Sequence, residues 1–200
     1  MCPTCGVPFH TRNDVDHRCA RCVQQAPHFG SARACTIYDG GNTANHPLKS
    51  VLQRYKYNRD VKLALPLAAL LIERAPFPVS EYDVVMPVPL HIQRLRWRGF
   101  NQAQFLARPL ARVAEVPLDP FALQRVRSTR PQVELDERAR RHNVAGAFRA
   151  VHPQRISGRR ILLIDDVYTT GATVNECSRV LLQAGAASVD VLVLARAVLQ

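Results

Sequence analysis

One stretch near the carboxyl end of the chain limits its possible folds more than any other. In ILLIDDVYTTGAT, residues 161–173, four apolar residues lead directly into the neighbouring carboxylates of Asp165 and Asp166. A short continuous apolar run of this kind is typical of a strand buried on both faces of a parallel sheet. Because like charges repel and a desolvated carboxylate is costly, an acid pair at the end of such a strand predicts a ligand for its charge.

The residues after the acid pair predict a phosphate site. A predicted amphipathic helix at 173–185 is preceded by small or hydroxylated residues, namely Thr169, Thr170, Gly171, Ala172 and Thr173. Backbone N–H groups at a helix N-terminus bind phosphate, and a glycine lets the backbone approach it closely. The acid pair can accept hydrogen bonds from two vicinal hydroxyls or hold Mg²⁺ through water. The pattern therefore predicts a ribose 5-phosphate ligand; the alternative is an aspartate-capped helix with a solvated acidic neighbour.

The order of elements predicts an α/β domain. Predicted strands at 84–86, 160–167 and 188–198 alternate with helices that begin near residues 48, 61 and 102. Strands alternating with helices indicate a mostly parallel sheet. Pro66 is expected near the start of its helix or at a kink, and Pro109 is expected to kink or break the helix that Asn101 caps. The charged arm at 121–148 is expected to be a hairpin or a mobile loop.

Composition narrows the class of ligand. The formal net charge is +11 and 47% of the residues are hydrophobic. A basic surface of this size attracts phosphorylated small molecules or nucleic acids, and a solvated basic surface accounts for part of the excess. The apolar stretch LALPLAALLIERA is interrupted by Pro66 and ends in charged residues, so it is not expected to span a membrane. Without a signal-peptide pattern, the sequence predicts a cytoplasmic protein.

Four of the six cysteines lie in the first 22 residues. CPTC and CARC form two Cys-x-x-Cys knuckles, and the four thiolates of Cys2, Cys5, Cys19 and Cys22 match the tetrahedral preference of a structural Zn²⁺. The alternatives are reduced thiols, a redox dithiol, or a site in which His10, His17 or His28 replaces a cysteine. We therefore expect a zinc-binding segment at 1–35 and a second domain at 36–200.

These motifs resemble two related families. Asp165 and Asp166 followed by Thr-Thr-Gly-x-Thr look like the phosphoribosyl pyrophosphate (PRPP) motif of type I phosphoribosyltransferases. This likeness implies that the acid pair binds the ribose hydroxyls and that Thr169 to Thr173 bind the 5-phosphate. YKY (55–57), PVPLHIQRLRWRGFNQA (87–103), RARRHNVAGAF (138–148) and the cysteine knuckles resemble the ComF competence family. That likeness implies a type I phosphoribosyltransferase fold behind a small zinc-binding segment, and a role in DNA uptake during natural transformation.

Arginines after the second predicted strand suggest a pyrophosphate site. Arg94, Arg96 and Arg98 are predicted in a loop closed by Gly99, where guanidinium groups can grip phosphate oxygens; the alternative is solvated surface charge. In the resemblance this segment follows the strand that carries the pyrophosphate loop of type I enzymes. The predicted pyrophosphate ligands are Arg94, Arg98, Gly99, Asn101 and Gln102.

The charged arm occupies the position of the hood that covers the site in phosphoribosyltransferases. Arg138, Arg141 and Asn143 are candidates to reach the ligand when the arm closes and excludes water; the alternative is a solvent-facing hairpin. Lys56, between two tyrosines, either supplies charge to the leaving group or points to solvent.

Two functions are compatible with these residues. The first is a Mg²⁺-dependent enzyme that transfers the phosphoribosyl group of PRPP to a nitrogen nucleophile and releases pyrophosphate. The second is a non-catalytic module for DNA uptake that binds single-stranded DNA, responds to PRPP or a nucleotide, and works with other competence proteins. No residue in the sequence identifies the acceptor of the first reaction.

Overall fold

The computed structural model describes residues 1–9, 16–39, 47–129 and 137–198. Its main sheet contains four parallel strands, in the order β1 (Ala32–Asp39), β6 (Ser188–Val198), β5 (Arg160–Tyr168) and β2 (Val84–Pro87). The register pairs β5 with β6 through Asp165 and Val193, and β5 with β2 through Leu163 and Met86. The predicted mostly parallel sheet is therefore confirmed.

Helices cover both faces of this sheet. One face packs against α2 (Pro47–Tyr57), α3 (Ala64–Glu73) and α5 (Gln102–Val113), and the other against α7 (Ala172–Gln183). Along β5 the fully buried side chains alternate, with Ile161 and Leu163 facing α7 and Leu162 and Ile164 facing α3 and α5. The continuous apolar run thus follows from burial on both faces. No helix in the described ranges is long and apolar enough to span a membrane.

The predictions for the two helix prolines, Pro66 and Pro109, have different outcomes. Pro66 lies in the first turn of α3, as predicted, where its missing N–H needs no partner. The helix α5 continues through Pro109, so of the predicted kink or break the break is wrong, and a kink there stays a prediction. Its buried face, which includes Leu106 and Leu110, packs on the sheet and outweighs the loss of one backbone hydrogen bond. Asn101 caps α5 as predicted, because its side chain accepts hydrogen bonds from the backbone of Ala103 and Gln104.

The arginine segment is helical, and the prediction of a loop there is wrong. Residues Ile92–Arg98 form α4, which begins after His91, whose imidazole accepts a hydrogen bond from the Gln93 backbone. Gly99 ends α4 in the left-handed conformation, at φ +87°. Because Arg94 and Arg98 are four residues apart on this helix, they lie on the same side of it.

The charged arm contains a short antiparallel pair, β3 (Leu123–Arg125) and β4 (Phe148–Ala150). The two strands pair as those of the predicted hairpin would, but no tight turn joins them, because the helix α6 (Glu137–Val144), which was not predicted, lies between them in the chain. Residues 130–136, and the side chain of the predicted lid residue Arg138, lie outside the described part of the chain.

The N-terminal segment packs against the same core as the sheet. It contains one short helix, α1 (Ala20–Gln24), and its buried Cys2, Cys5 and Cys22 join the apolar cluster formed by α7 and β5. The domain boundary that we predicted at residue 35 falls inside β1, which pairs along its length with β6. Residues 1–35 are therefore joined to the rest by both backbone pairing and side-chain packing.

Candidate functional site

The acid pair lies at the carboxyl end of β5, and its two side chains meet different neighbours. The Asp166 carboxylate forms an ion pair with Lys56 of α2, with 2.9 Å between Oδ1 and Nζ. The Asp165 carboxylate accepts a hydrogen bond from the backbone N–H of Asp166 and interacts electrostatically with Arg125 of β3. Each carboxylate therefore has a cationic neighbour from outside β5, which reduces the cost of burying the pair.

The environment of the acid pair changes its protonation. Burial, together with the charge of Asp166, raises the pKa of Asp165 to about 7, although Lys56 and Arg125 act in the opposite direction. Burial also opposes the charge of Lys56, but its ion pair with Asp166 outweighs burial, so the pKa of Lys56 is raised. A carboxyl group whose pKa is raised to near neutrality by burial and a neighbouring charge is typical of a functional site.

The phosphate loop, which we define as residues 169–173, turns the chain from β5 into α7. Gly171 precedes α7 as its N-cap, in the left-handed conformation at φ +76°. A Cβ atom at this position would lie 2.2 Å from the hydroxyl oxygen of Tyr168, so the loop needs glycine for both conformation and space. The Thr170 hydroxyl accepts a hydrogen bond from Ala172. The five predicted residues thus form a tight turn at a helix N-terminus, a geometry suited to phosphate.

Four cationic side chains form what we call the cation cluster: Lys56, Arg94, Arg98 and Arg125. Three of them interact with the acid pair, and Arg94 interacts with Arg98 and Arg125. Arg98 is buried and interacts with Asp166, and its guanidinium lies 5.6 Å from the centre of the Tyr57 ring. Arg94 donates a hydrogen bond to the Thr129 carbonyl at 3.2 Å, and Arg125 donates to the Thr129 hydroxyl. Four positive charges against two negative charges leave an excess that suits a polyanion.

Arg125 was not among the predicted site residues. Its guanidinium lies over the Phe148 ring, and burial lowers its pKa, with the charge of Arg94 acting in the same direction. Leu123 is buried in the same strand, and alternation along β3 places Arg125 on the same face. That alternation could have identified Arg125 from the sequence. It was missed because the segment was interpreted as a charged arm and not as a strand.

The residues predicted to bind pyrophosphate differ in the contacts that they make in the structure. Both ends of the Asn101 amide are engaged with the backbone, since the amide nitrogen also donates to the Val88 carbonyl. The Gln102 side chain is buried, and its amide nitrogen has no hydrogen-bond partner, which is also true of Nε of Arg98 and of Arg125. Arg98 and Arg125 interact with the acid pair, and the Gln102 carbonyl accepts a hydrogen bond from Tyr55, which itself interacts with Asp166. Direct contact of Gly99 and Asn101 with pyrophosphate stays a prediction.

The charged arm at 121–148, which we call the hood from here on, reaches the phosphate loop through α6. Arg141 lines a cavity together with Thr170 and Gly171, so the structure brings this predicted lid residue to the phosphate loop. The Asn143 carbonyl accepts a hydrogen bond from Arg127 at 3.0 Å. Closure of the hood over a ligand stays a prediction.

The sulfur atoms of Cys2, Cys5, Cys19 and Cys22, the cysteine cluster, all lie within 4.8 Å of one another. A tetrahedral site with Zn–S bonds of about 2.3 Å has S–S edges of about 3.8 Å, and the sulfurs of Cys5 and Cys19 are 3.7 Å apart. The cluster could therefore hold a metal ion such as zinc. The His17 ring stacks on Phe9, and His10 lies outside the described residues. None of the described cysteines forms a disulfide.

Comparison with known proteins agrees with this geometry. Residues 98–198 match the model of the phosphoribosyl transferase domain. The DNA utilization protein YhgH of Escherichia coli O157:H7 is 37% identical over 98% of this chain and 84% of its own length. Competence protein F of Haemophilus influenzae is 31% identical over 98% of this chain and 85% of its length. Competence protein ComFC of Bacillus subtilis is 29% identical, over 98% and 78%.

Among solved structures, the chain is similar to the glutamine PRPP amidotransferase of Bacillus subtilis, with a TM-score of 0.45 and 23% identity over 65% of this chain and 25% of that one. The orotate phosphoribosyltransferase of Aeropyrum pernix has a TM-score of 0.37 and 22% identity over 68% and 58%. The domain match, the parallel sheet with its flanking helices and the identity to the competence proteins agree with one another. The chain belongs to the phosphoribosyl transferase domain family, as a ComF-type member with the type I fold.

Proposed function

We propose that the protein binds PRPP at the carboxyl end of β5 and transfers its phosphoribosyl group. The observation that carries the proposal is the convergence of the acid pair, the phosphate loop and the cation cluster at one end of one strand. Asp165 and Asp166 would accept hydrogen bonds from the ribose hydroxyls, and the phosphate loop would hold the 5-phosphate. The cation cluster would then face the pyrophosphate group.

In this reaction the bond between ribose C1 and the pyrophosphate oxygen breaks, and a bond from C1 to a nitrogen nucleophile forms. The departing pyrophosphate keeps the electron pair, and positive charge develops on the sugar. Arg94, Arg98 and Arg125 would stabilise the leaving group, with the unpartnered amide of Gln102 as a further donor. The carboxylate oxygens of the acid pair fit Mg²⁺, which prefers oxygen ligands and would neutralise charge on the pyrophosphate.

The hood would protect this chemistry from water. A sugar that carries developing positive charge reacts readily with water, so a closed site favours transfer over hydrolysis. Arg141 already lies at the phosphate loop, and we propose that Arg138 and Asn143 join it when the arm closes.

We propose a structural Zn²⁺ in the cysteine cluster and a cytoplasmic location, where thiols stay reduced. With all four positions filled by thiolates, no position remains for a catalytic water. Metal analysis of the purified protein should give one zinc per chain; a well-folded protein without metal would refute this assignment.

One assay tests the enzyme directly. The protein is incubated with PRPP, Mg²⁺ and a panel of purine and pyrimidine bases and ammonia, and pyrophosphate release is followed. Release that depends on one acceptor and is absent in Asp165→Asn/Asp166→Asn would support transfer. Asp83→Asn is the matched control, since Asp83 pairs with Arg160 at the opposite end of β5. Release by no acceptor would refute the catalytic proposal.

A second candidate is a single-stranded DNA-binding module of DNA uptake, acting with other competence proteins. It is favoured by the net charge of +11 and by relatives named for DNA utilization and competence. Binding carried by phosphate contacts should weaken steeply with salt. Fluorescence anisotropy of a labelled single-stranded oligonucleotide at about 50 and 200 mM salt tests this, with a loss on the order of a few hundredfold expected for six contacts. No detectable binding at the lower salt would refute it.

A further inference from the structure

The second cysteine knuckle touches the phosphate loop. Arg21 lies in α1, between Cys19 and Cys22, and its guanidinium donates a hydrogen bond to the backbone carbonyl of Thr170. Because Cys19 and Cys22 both belong to the cysteine cluster, a bound metal would fix the backbone on both sides of Arg21.

The first knuckle is linked to the same loop by another route. Arg196 of β6 is buried and donates to the Cys5 carbonyl, and its guanidinium lies 4.4 Å from the centre of the Tyr168 ring. Tyr168 in turn packs against Gly171, so closely that no larger residue fits there. The first knuckle is thus connected to the phosphate loop through a buried arginine, and the second through a partly buried hydrogen bond.

A cavity of about 170 Å³ lies where these elements meet. Its walls come from the N-terminal segment, the hood helix α6 and the start of α7, and include Arg21, Gln25, Arg141, Thr170, Gly171 and Asn175. Its volume is several times the roughly 30 Å³ share of one water molecule. Two arginines from different elements therefore face a helix N-terminus across a space that can admit a phosphate group.

We propose that Arg21 is part of the 5-phosphate pocket, where it holds the phosphate loop through the Thr170 carbonyl and adds positive charge to the cavity. This inference rests on the proposed PRPP site and deepens it. The N-terminal segment then has a role beyond folding, because metal binding by Cys19 and Cys22 presents Arg21 to the ligand. The affinity for the sugar-phosphate end of PRPP depends on this residue, and the affinity for pyrophosphate does not.

Calorimetric titration with two ligands tests the proposal. PRPP with Mg²⁺ reports on the whole site, and pyrophosphate with Mg²⁺ reports on the cation cluster alone. We expect Arg21→Ala to weaken PRPP binding by about tenfold to a hundredfold, in keeping with the loss of a charge-assisted hydrogen bond. Pyrophosphate affinity should stay within about twofold, and the zinc content should stay at the wild-type level. Arg21→Lys, which keeps the charge and loses the planar fork, should bind PRPP with intermediate affinity.

Arg18→Ala is the matched control, because it removes one exposed positive charge from the same segment. It should bind both ligands like the wild type. The inference would be overturned if Arg21→Ala kept its zinc and bound PRPP as tightly as the wild type. Loss of zinc, or an equal loss of affinity for both ligands, would also overturn it, since Arg21 would then only stabilise the fold. Failure of the wild type itself to bind PRPP would refute the proposed function as well.

Discussion

The acid pair and the phosphate loop lie in one continuous stretch of β5 and the start of α7, whereas the cation cluster is assembled from α2, α4 and β3. The first half of the site owes its geometry to local backbone: a strand end, a left-handed glycine and a helix N-terminus. The second half depends on how distant helices and the hood pack against the sheet. A substitution in the first half should therefore disrupt the whole phosphate loop. A substitution in the second half should remove one positive charge from the site and leave the loop intact.

The largest expected effect comes from Gly171 in the continuous half. Gly171→Ala places a side chain in the left-handed region and against Tyr168, so we expect the free energy of unfolding to fall by at least about 3 kcal/mol. PRPP binding should be lost as well. Urea denaturation and calorimetry measure the two effects.

Gly158→Ala is the control for conformation alone. Gly158 also has a positive φ, of +71°, but no atom lies within 4 Å of a Cβ built there. This variant should lose only about 1 kcal/mol. Equal losses in the two variants would show that the close packing around Gly171 has no consequence for stability.

Asp165 should make stability depend on pH. Its folded-state pKa of about 7 lies above the unfolded value, so the folded protein keeps a proton that the unfolded chain releases. Stability from this group is therefore highest below the unfolded pKa of about 3.9 and falls as pH rises towards 7. Between pH 5 and pH 8 we expect a loss of roughly 2–3 kcal/mol in urea denaturation. Asp165→Asn should remove this part of the dependence; an unchanged profile would contradict the raised pKa.

The ion pair between Lys56 and Asp166 is the main link between the two halves. A double-mutant cycle with Lys56→Met and Asp166→Asn should give a coupling energy of about 1–3 kcal/mol, because both side chains are largely removed from water. Arg54 of the same helix pairs with Asp60, which follows the helix, at a similar distance, 2.7 Å, but Arg54 is exposed. Its coupling should be below about 1 kcal/mol. Equal coupling in both cycles would mean that the buried link is no stronger than a surface pair.

The smallest effect concerns one member of the assembled half. Arg125→Met should weaken pyrophosphate binding by about tenfold, because it removes a partly buried cation whose Nε has no protein partner. Arg149→Met in the paired strand β4 removes an exposed arginine and should leave affinity within about twofold. Calorimetric titration with pyrophosphate and Mg²⁺ compares them. If Arg125→Met bound pyrophosphate as tightly as the control, Arg125 would not belong to the site.

The features that could be predicted from the sequence are those of the first half of the site, which is built from local backbone. The strand of residues 161–164, the acid pair and the turn at Gly171 are local patterns, and each lies where its pattern predicted. Arg94 and Arg98 were predicted as site residues, but their helix was not, because the caps at His91 and Gly99 were read as a loop. The predicted break at Pro109 is wrong because the packing of α5 on the sheet outweighs the tendency of proline to interrupt a helix.

The contacts that no local pattern could predict are those between distant segments. The pairing of Lys56 with Asp166 and the position of Arg125 depend on packing between elements far apart in sequence. The contact of Arg21 with the phosphate loop joins residues 149 positions apart. The cysteine pattern predicted a metal cluster but contained no information on which surface that cluster would meet.

The measurement that tests the central claim most directly is calorimetric titration of the wild-type protein with PRPP in the presence of Mg²⁺, beside the double variant Asp165→Asn/Asp166→Asn. We expect one binding site per chain in the wild type and no detectable binding in the double variant, because the carboxylates would hold the ribose hydroxyls. An unchanged affinity in the double variant, or no binding by the wild type, would contradict this expectation.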